Sequence, residues 1–85
     1  MSWRVELPRR ILRRIERLPK EEGDCILLTL KRLQENPSLV HVKPLEGRED
    51  WSLRVGRWRV LLRVDHKAKV FVVTGFGPRG DIYKH

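Results

Sequence analysis

The stretch that most constrains this chain is WSLRVGRWRV, Trp51 to Val60. Apolar and polar residues alternate on both sides of Gly56-Arg57, the pattern of two half-buried strands joined by a tight turn. A two-residue connection with glycine first suits a type II′ hairpin. That turn pairs Val55 with Trp58, Arg54 with Arg59 and Leu53 with Val60. A slip of one residue would carry every apolar side chain to the opposite face, so the alternation itself holds this register. Trp51, Leu53, Val55, Trp58, Val60, Leu62 and Val64 then share one face, and Ser52, Arg54, Arg59 and Arg63 share the other.

The flanking sequence supplies what the apolar face needs. WRVEL, Trp3 to Leu7, alternates and reads as a short first strand. Pro8 suits the first helical position, and Ile11, Leu12, Ile15 and Leu18 follow at helical spacing. Leu18-Pro19 ends this helix, because the residue before proline avoids helical backbone. A second helix is expected from about Lys20 to about Gln34, with Ile26, Leu27, Leu30 and Leu33 as its apolar stripe. Glu21, Glu22 and Asp24 lie in its first turn, where the helix dipole favours negative charge, and Asn36-Pro37 stops it. Cys25 reads as a small buried side chain of this helix. Residues 37–49 read as a connector punctuated by Pro37, Pro44 and Gly47. Beyond the hairpin, Asp65-His66-Lys67-Ala68 is a polar turn, and Lys69 to Gly75 carries VFVVT, a nearly continuous apolar strand suited to cover on both faces. The expected fold is therefore α+β: an N-terminal strand, a helical hairpin, then a three-stranded antiparallel meander, with the helices packed on one face of the sheet. The other face is left partly open.

That open face carries the charge problem. Like charges directly opposite one another across two strands are destabilising. A single exposed arginine is ordinarily solvated or paired with a carboxylate, here Glu49, Asp50 or Asp81. Two that face each other need an anion to offset their repulsion, and a phosphodiester is the natural one: guanidinium groups grip phosphate oxygens bidentately and stay charged at any relevant pH. Composition agrees. The chain has 19 Lys plus Arg against 11 Asp plus Glu, a net charge of +8, which favours nucleic acid, an anionic membrane surface or an acidic protein as partner. Its 85 residues suffice for one domain, residues 1–85. The single cysteine allows no internal disulfide and fits an intracellular, cytoplasmic protein. No signal-peptide core and no run of membrane-spanning length is present, so no membrane-spanning segment is expected, and of the three anionic partners the membrane is the one set aside. His41, His66 and His85 are scattered, and with Cys25 they form no metal-ligand pattern. Neither a glycine-rich phosphate loop nor a Ser-His-Asp order is evident, and no cofactor is expected.

The segments LEGREDWSLRVGRWRVLLRVD and GFGPRGDIY resemble the RelE/ParE toxin superfamily of bacterial and archaeal toxin–antitoxin pairs. Four features carry the resemblance in order. They are Leu45 and Gly47 ahead of Trp51; the hairpin Leu53-Arg54-Val55-Gly56-Arg57-Trp58-Arg59; the apolar strand Val70 to Val73; and the tail Gly77-Pro78-Arg79 with Asp81-Ile82-Tyr83. IERLP closing the first helix and NP closing the second also match, so the resemblance covers nearly the whole chain.

The resemblance implies the fold already reached and two activities. The RelE branch are ribosome-dependent endoribonucleases that cut mRNA in the A site; the ParE branch share the fold but poison DNA gyrase and generally lack the nuclease residues. Carried over residue by residue, the RelE-branch site becomes Arg54, Arg59, Arg79 and Tyr83. All four residue types suit the nuclease. Two positions depart from the pattern: Ser52 stands where some members have a second basic residue, and Pro78 where many have a histidine that would serve as general base. Arg9, Arg10, Arg13, Arg14, Arg17, Lys20, Lys31, Arg32 and Lys43 make a broader basic surface, which in the family implies contact with ribosomal RNA and otherwise reads as a solvated helix face. The implied partners are a cognate antitoxin, the ribosome and mRNA. A ParE-like gyrase poison, an inactive binding module and a generic nucleic-acid-binding domain stand as alternatives.

Overall fold

The computed structural model describes residues 3–44 and 50–78. Strand β1 (Arg4–Glu6) leads to helix α1 (Arg9–Glu16) and helix α2 (Lys20–Glu35). A short 3-10 turn (Pro37–Leu39) precedes β2 (His41–Pro44), β3 (Asp50–Val55), β4 (Trp58–Asp65) and β5 (Val70–Pro78). The strands form one five-stranded sheet in the order β1-β5-β4-β3-β2. The meander β3-β4-β5 is antiparallel, as the turns require, and β1 joins its outer side parallel to β5.

Each helix end has a local cause. Pro8 and Pro19 sit at the N-caps of α1 and α2, one position earlier than the sequence places Pro8. Asn36, extended at φ −162°, closes α2, and its side-chain oxygen accepts from the Ser38 amide at 3.0 Å to open the 3-10 turn. With only eight residues, α1 is too short to be stable alone. Ile11 and Ile15, each 1% exposed, hold it down, and full burial of such side chains stabilises by about 1.5–3 kcal/mol apiece. From α2, Ile26, Leu30 and Leu33 meet Leu53, Val55, Val60 and Leu62 of the sheet, so the helices cover one face as expected. Gly23 lets the two helices approach closely: a Cβ there would lie 2.9 Å from the Ile15 carbonyl oxygen.

Three features differ from the sequence expectations. Cys25 is exposed rather than buried, because the face of α2 that meets the sheet runs through Gly23, Ile26, Leu30 and Leu33. Residues 41–44, read as part of a connector, are an edge strand paired antiparallel with β3. Pro44 ends it, at an edge position where the missing amide is tolerated. Ser52 points to the face away from the helices, yet it is 1% exposed. Smaller adjustments are local. The β4–β5 pairing shifts register after Leu61, which opposes Gly75 while Leu62 opposes Val73. Lys69 adopts a left-handed φ of 56° in the β4–β5 turn, and Asp65 Oδ1 accepts from the Ala68 amide there at 3.0 Å. At the other margin, Gln34 Oε1 accepts from the Val5 amide at 3.0 Å, tying β1 to α2.

Candidate functional site

The β3–β4 hairpin has the register that its alternation demands: Arg54 is the Cα partner of Arg59, Val55 of Trp58 and Leu53 of Val60. Gly56 takes a φ of 55° in the turn, a conformation open to glycine without strain. Arg57 does not have positive φ, which agrees with the II′ connection and excludes I′. The turn is clamped from behind. Glu22 of α2 accepts from Arg57 Nε at 2.7 Å and from Trp58 Nε1 at 2.9 Å. The Trp58 indole and the Arg57 guanidinium, in that order, hold the Glu22 carboxyl below its ordinary pKa.

On the open face, one row of Cα partners crosses four strands: His41 on β2, Arg54 on β3, Arg59 on β4 and Gly77 on β5. Directly opposed residues project to the same side of a sheet. His41, Arg54 and Arg59 of this row wall a cavity of about 440 Å³, lined also by Val40, Val42 and Lys43. Arg54 is exposed and Arg59 is half-buried. Arg59 lies back along the sheet, its Nη1 donating to Ser52 Oγ at 3.0 Å. That contact gives Ser52 a role that its sequence position did not suggest: it helps to orient the Arg59 guanidinium. The cavity therefore has one exposed cationic wall, Arg54, and one held against the sheet, Arg59.

Of the site residues expected from sequence, Arg54 and Arg59 are brought together, and Lys43 joins them from β2. Arg79 and Tyr83 lie outside the described residues. Arg9, Arg10, Arg13, Arg17, Lys20, Lys31 and Arg32 are exposed on the helices, which cover the other face of the sheet, so among the described residues these cations stand apart from the cavity. Arg14 is engaged within the fold: its guanidinium lies 4.6 Å from the centre of the Phe76 ring, and its Nη2 donates to the Phe76 carbonyl at 3.4 Å. His41 is the residue that sequence reasoning missed. Its only local signal is the alternation His41-Val42-Lys43, too short to mark a strand without knowledge of the β3 partner.

No protein-family model matches the sequence, and neither does any curated protein. Solved structures do match. A chain of the archaeal RelE–RelB complex from Pyrococcus horikoshii is 28% identical with a TM-score of 0.78, over 95% of this chain and 99% of that one. A chain of a RelBE-type toxin–antitoxin complex from Mycobacterium tuberculosis is 24% identical with a TM-score of 0.77, over 93% of this chain and 100% of that one. A mutant of the Escherichia coli toxin RelE in the free state is 17% identical with a TM-score of 0.72, over 94% of this chain and 86% of that one. The two helices on one face of the sheet, and the hairpin that carries Arg54 and Arg59, thus belong to a chain with the RelE-like fold.

Proposed function

We propose that this protein is the toxin of a type II toxin–antitoxin pair and acts as a metal-independent, ribosome-dependent endoribonuclease on mRNA in the A site. The observation that carries the reading is the pairing of Arg54 with Arg59 on the wall of an open cavity. Two guanidinium groups that share one wall of an open cavity suit a phosphodiester, whose oxygens accept from both forks. The likeness to RelE structures supports the toxin class, and several of those structures are toxin–antitoxin complexes, which supports an antitoxin partner for this chain. An acidic, partly helical antitoxin segment matches the net charge of +8. The protein is expected to work in the cytoplasm, and among the described residues no helix is long and apolar enough to cross a membrane.

The chemistry follows from the site. The RNA 2′-hydroxyl attacks its own phosphate, so orientation supplies much of the rate. Negative charge gathers on the phosphoryl oxygens, where Arg59 and Arg79 stabilise it. Arg54 assists ionisation of the attacking hydroxyl, and Tyr83 serves as an acid or base or stacks on a base. The upstream product ends in a 2′,3′-cyclic phosphate, or in the 3′-phosphate that its hydrolysis leaves. The test maps mRNA ends after expression of the wild type, Arg59→Ala and Arg79→Ala. Codon-phased cuts are expected in the wild type, with losses of about 10²–10³ in each variant, the effect of removing one oxyanion donor. Equal toxicity of all three proteins, or intact mRNA beside blocked DNA gyrase, would overturn the proposal.

A further inference from the structure

RNA cleavage by 2′-hydroxyl attack needs a group that takes the hydroxyl proton. Guanidinium stays protonated and donates only, so neither Arg54 nor Arg59 can accept it. Pro78, at the end of β5, has no proton to exchange. Imidazole is the side chain suited to proton transfer near neutral pH.

The sheet brings one imidazole to the cavity. His41 is the Cα partner of Arg54, as Arg54 is of Arg59, so the three stand in one line across β2, β3 and β4. Adjacent strands lie about 4.7–4.9 Å apart, which puts His41 roughly 10 Å from Arg59 along that line. The span fits a phosphate held by the two arginines with the ribose of its 3′-linked nucleotide toward β2. His41 is exposed and lines the same cavity of about 440 Å³, a volume within the range of about 300–1,000 Å³ typical of ligand sites. Lys43, two residues on along β2, projects to the same side and adds a third cation to the wall.

We propose that His41 is the general base of the reaction. Its imidazole takes the 2′-hydroxyl proton as the 2′-oxygen bonds to phosphorus. The bond from phosphorus to the 5′-oxygen breaks, that oxygen takes a proton from water, and the imidazolium returns its proton to the resulting hydroxide. The products are a 2′,3′-cyclic phosphate and a 5′-hydroxyl. The assignment rests on the nuclease reading above and names the proton acceptor within it.

The test measures single-turnover cleavage of a short mRNA on programmed ribosomes by the wild type, His41→Ala, His41→Gln and Arg59→Ala. Both His41 variants should slow by about 10²-fold or more, within the usual contribution of a general base. Their melting temperatures and ribosome co-sedimentation should match the wild type, and free imidazole should restore part of the His41→Ala rate. An mRNA with sulfur in place of the bridging 5′-oxygen needs no proton on its leaving group, so the His41→Ala deficit should persist on it. Wild-type rates in both His41 variants would overturn the assignment and leave the nuclease reading standing. Disappearance of the deficit on the sulfur substrate would also overturn it, moving His41 to the leaving group. A wild-type protein that cuts nothing on ribosomes would remove the nuclease reading, and this base with it.

Discussion

Arg54 of β3 and Arg59 of β4 are direct cross-strand partners. Like-charge pairs in this position destabilise a sheet by roughly 0.2–1 kcal/mol relative to neutral ones. Arg54→Thr, which also favours strand backbone, should therefore stabilise the free protein. For a domain of this size a gain of that order raises Tm by roughly 1–8 °C. Melting curves at low ionic strength give the comparison, and inorganic phosphate should raise the Tm of the wild type more than that of the variant. A lower Tm in Arg54→Thr would show that the pair is not strained in the free protein.

The turn that presents this pair depends on Glu22. Its carboxyl is held below the ordinary range by the Trp58 indole and then by the Arg57 guanidinium. A carboxyl with a depressed folded-state pKa adds stability above its unfolded pKa and loses it as pH falls through the folded one. Glu22→Gln keeps an acceptor for Trp58 and removes the charge. The variant should melt below the wild type at neutral pH, and the gap should close as pH falls through the carboxylate range. A gap that stays constant from neutral to acid pH would mean that the charge contributes nothing to the clamp.

How much of this was legible follows the range of the interactions involved. The hairpin register was readable because Gly56 and the alternation on either side of it lie within ten residues of one another. The helices were readable from their apolar stripes and from Pro19 and Pro37. Strand β2 was not: its four residues form a strand only because β3, which begins at Asp50, lies alongside. His41 was lost with it, since only the pairing with Arg54 separates it from the other histidines. The contact of Ser52 with Arg59 was equally hidden, because it depends on the direction in which the Arg59 side chain lies. Cys25 is exposed although cysteine is a residue type that is usually buried, and the neighbouring stripe of Ile26, Leu30 and Leu33 already points elsewhere. Arg79 and Tyr83 remain expectations of the family resemblance, being outside the described residues.

Gly23→Ala sets two effects against each other. Alanine in a helix interior gains about 0.8–1 kcal/mol over glycine. The new Cβ would stand 2.9 Å from the Ile15 carbonyl oxygen, a backbone atom that cannot move without α1 moving. Overpacking of this kind typically costs about 1–3 kcal/mol, so the clash should win. The denaturation midpoint should fall with the slope unchanged. A raised midpoint would show that α1 can shift away without loss.

The helix arginines divide by what they touch. Arg13 is exposed, whereas Arg14 stacks on Phe76 and donates to its carbonyl, tying α1 to β5 near Trp58, whose ring lies 5.7 Å from that of Phe76. If the helix surface meets ribosomal RNA, affinity should fall steeply with salt, and each phosphate contact removed should lower the slope of log K against log salt by about 1. Arg13→Ala should reduce the slope and leave the melting temperature unchanged. Arg14→Ala should lower the melting temperature as well, because it removes a cation–π contact worth about 0.5–1 kcal/mol at an exposed site. Co-sedimentation with ribosomes across a salt series, beside melting curves, separates the two. A slope unchanged in Arg13→Ala would remove that arginine from the RNA-binding surface, and a melting temperature unchanged in Arg14→Ala would deny it the structural role.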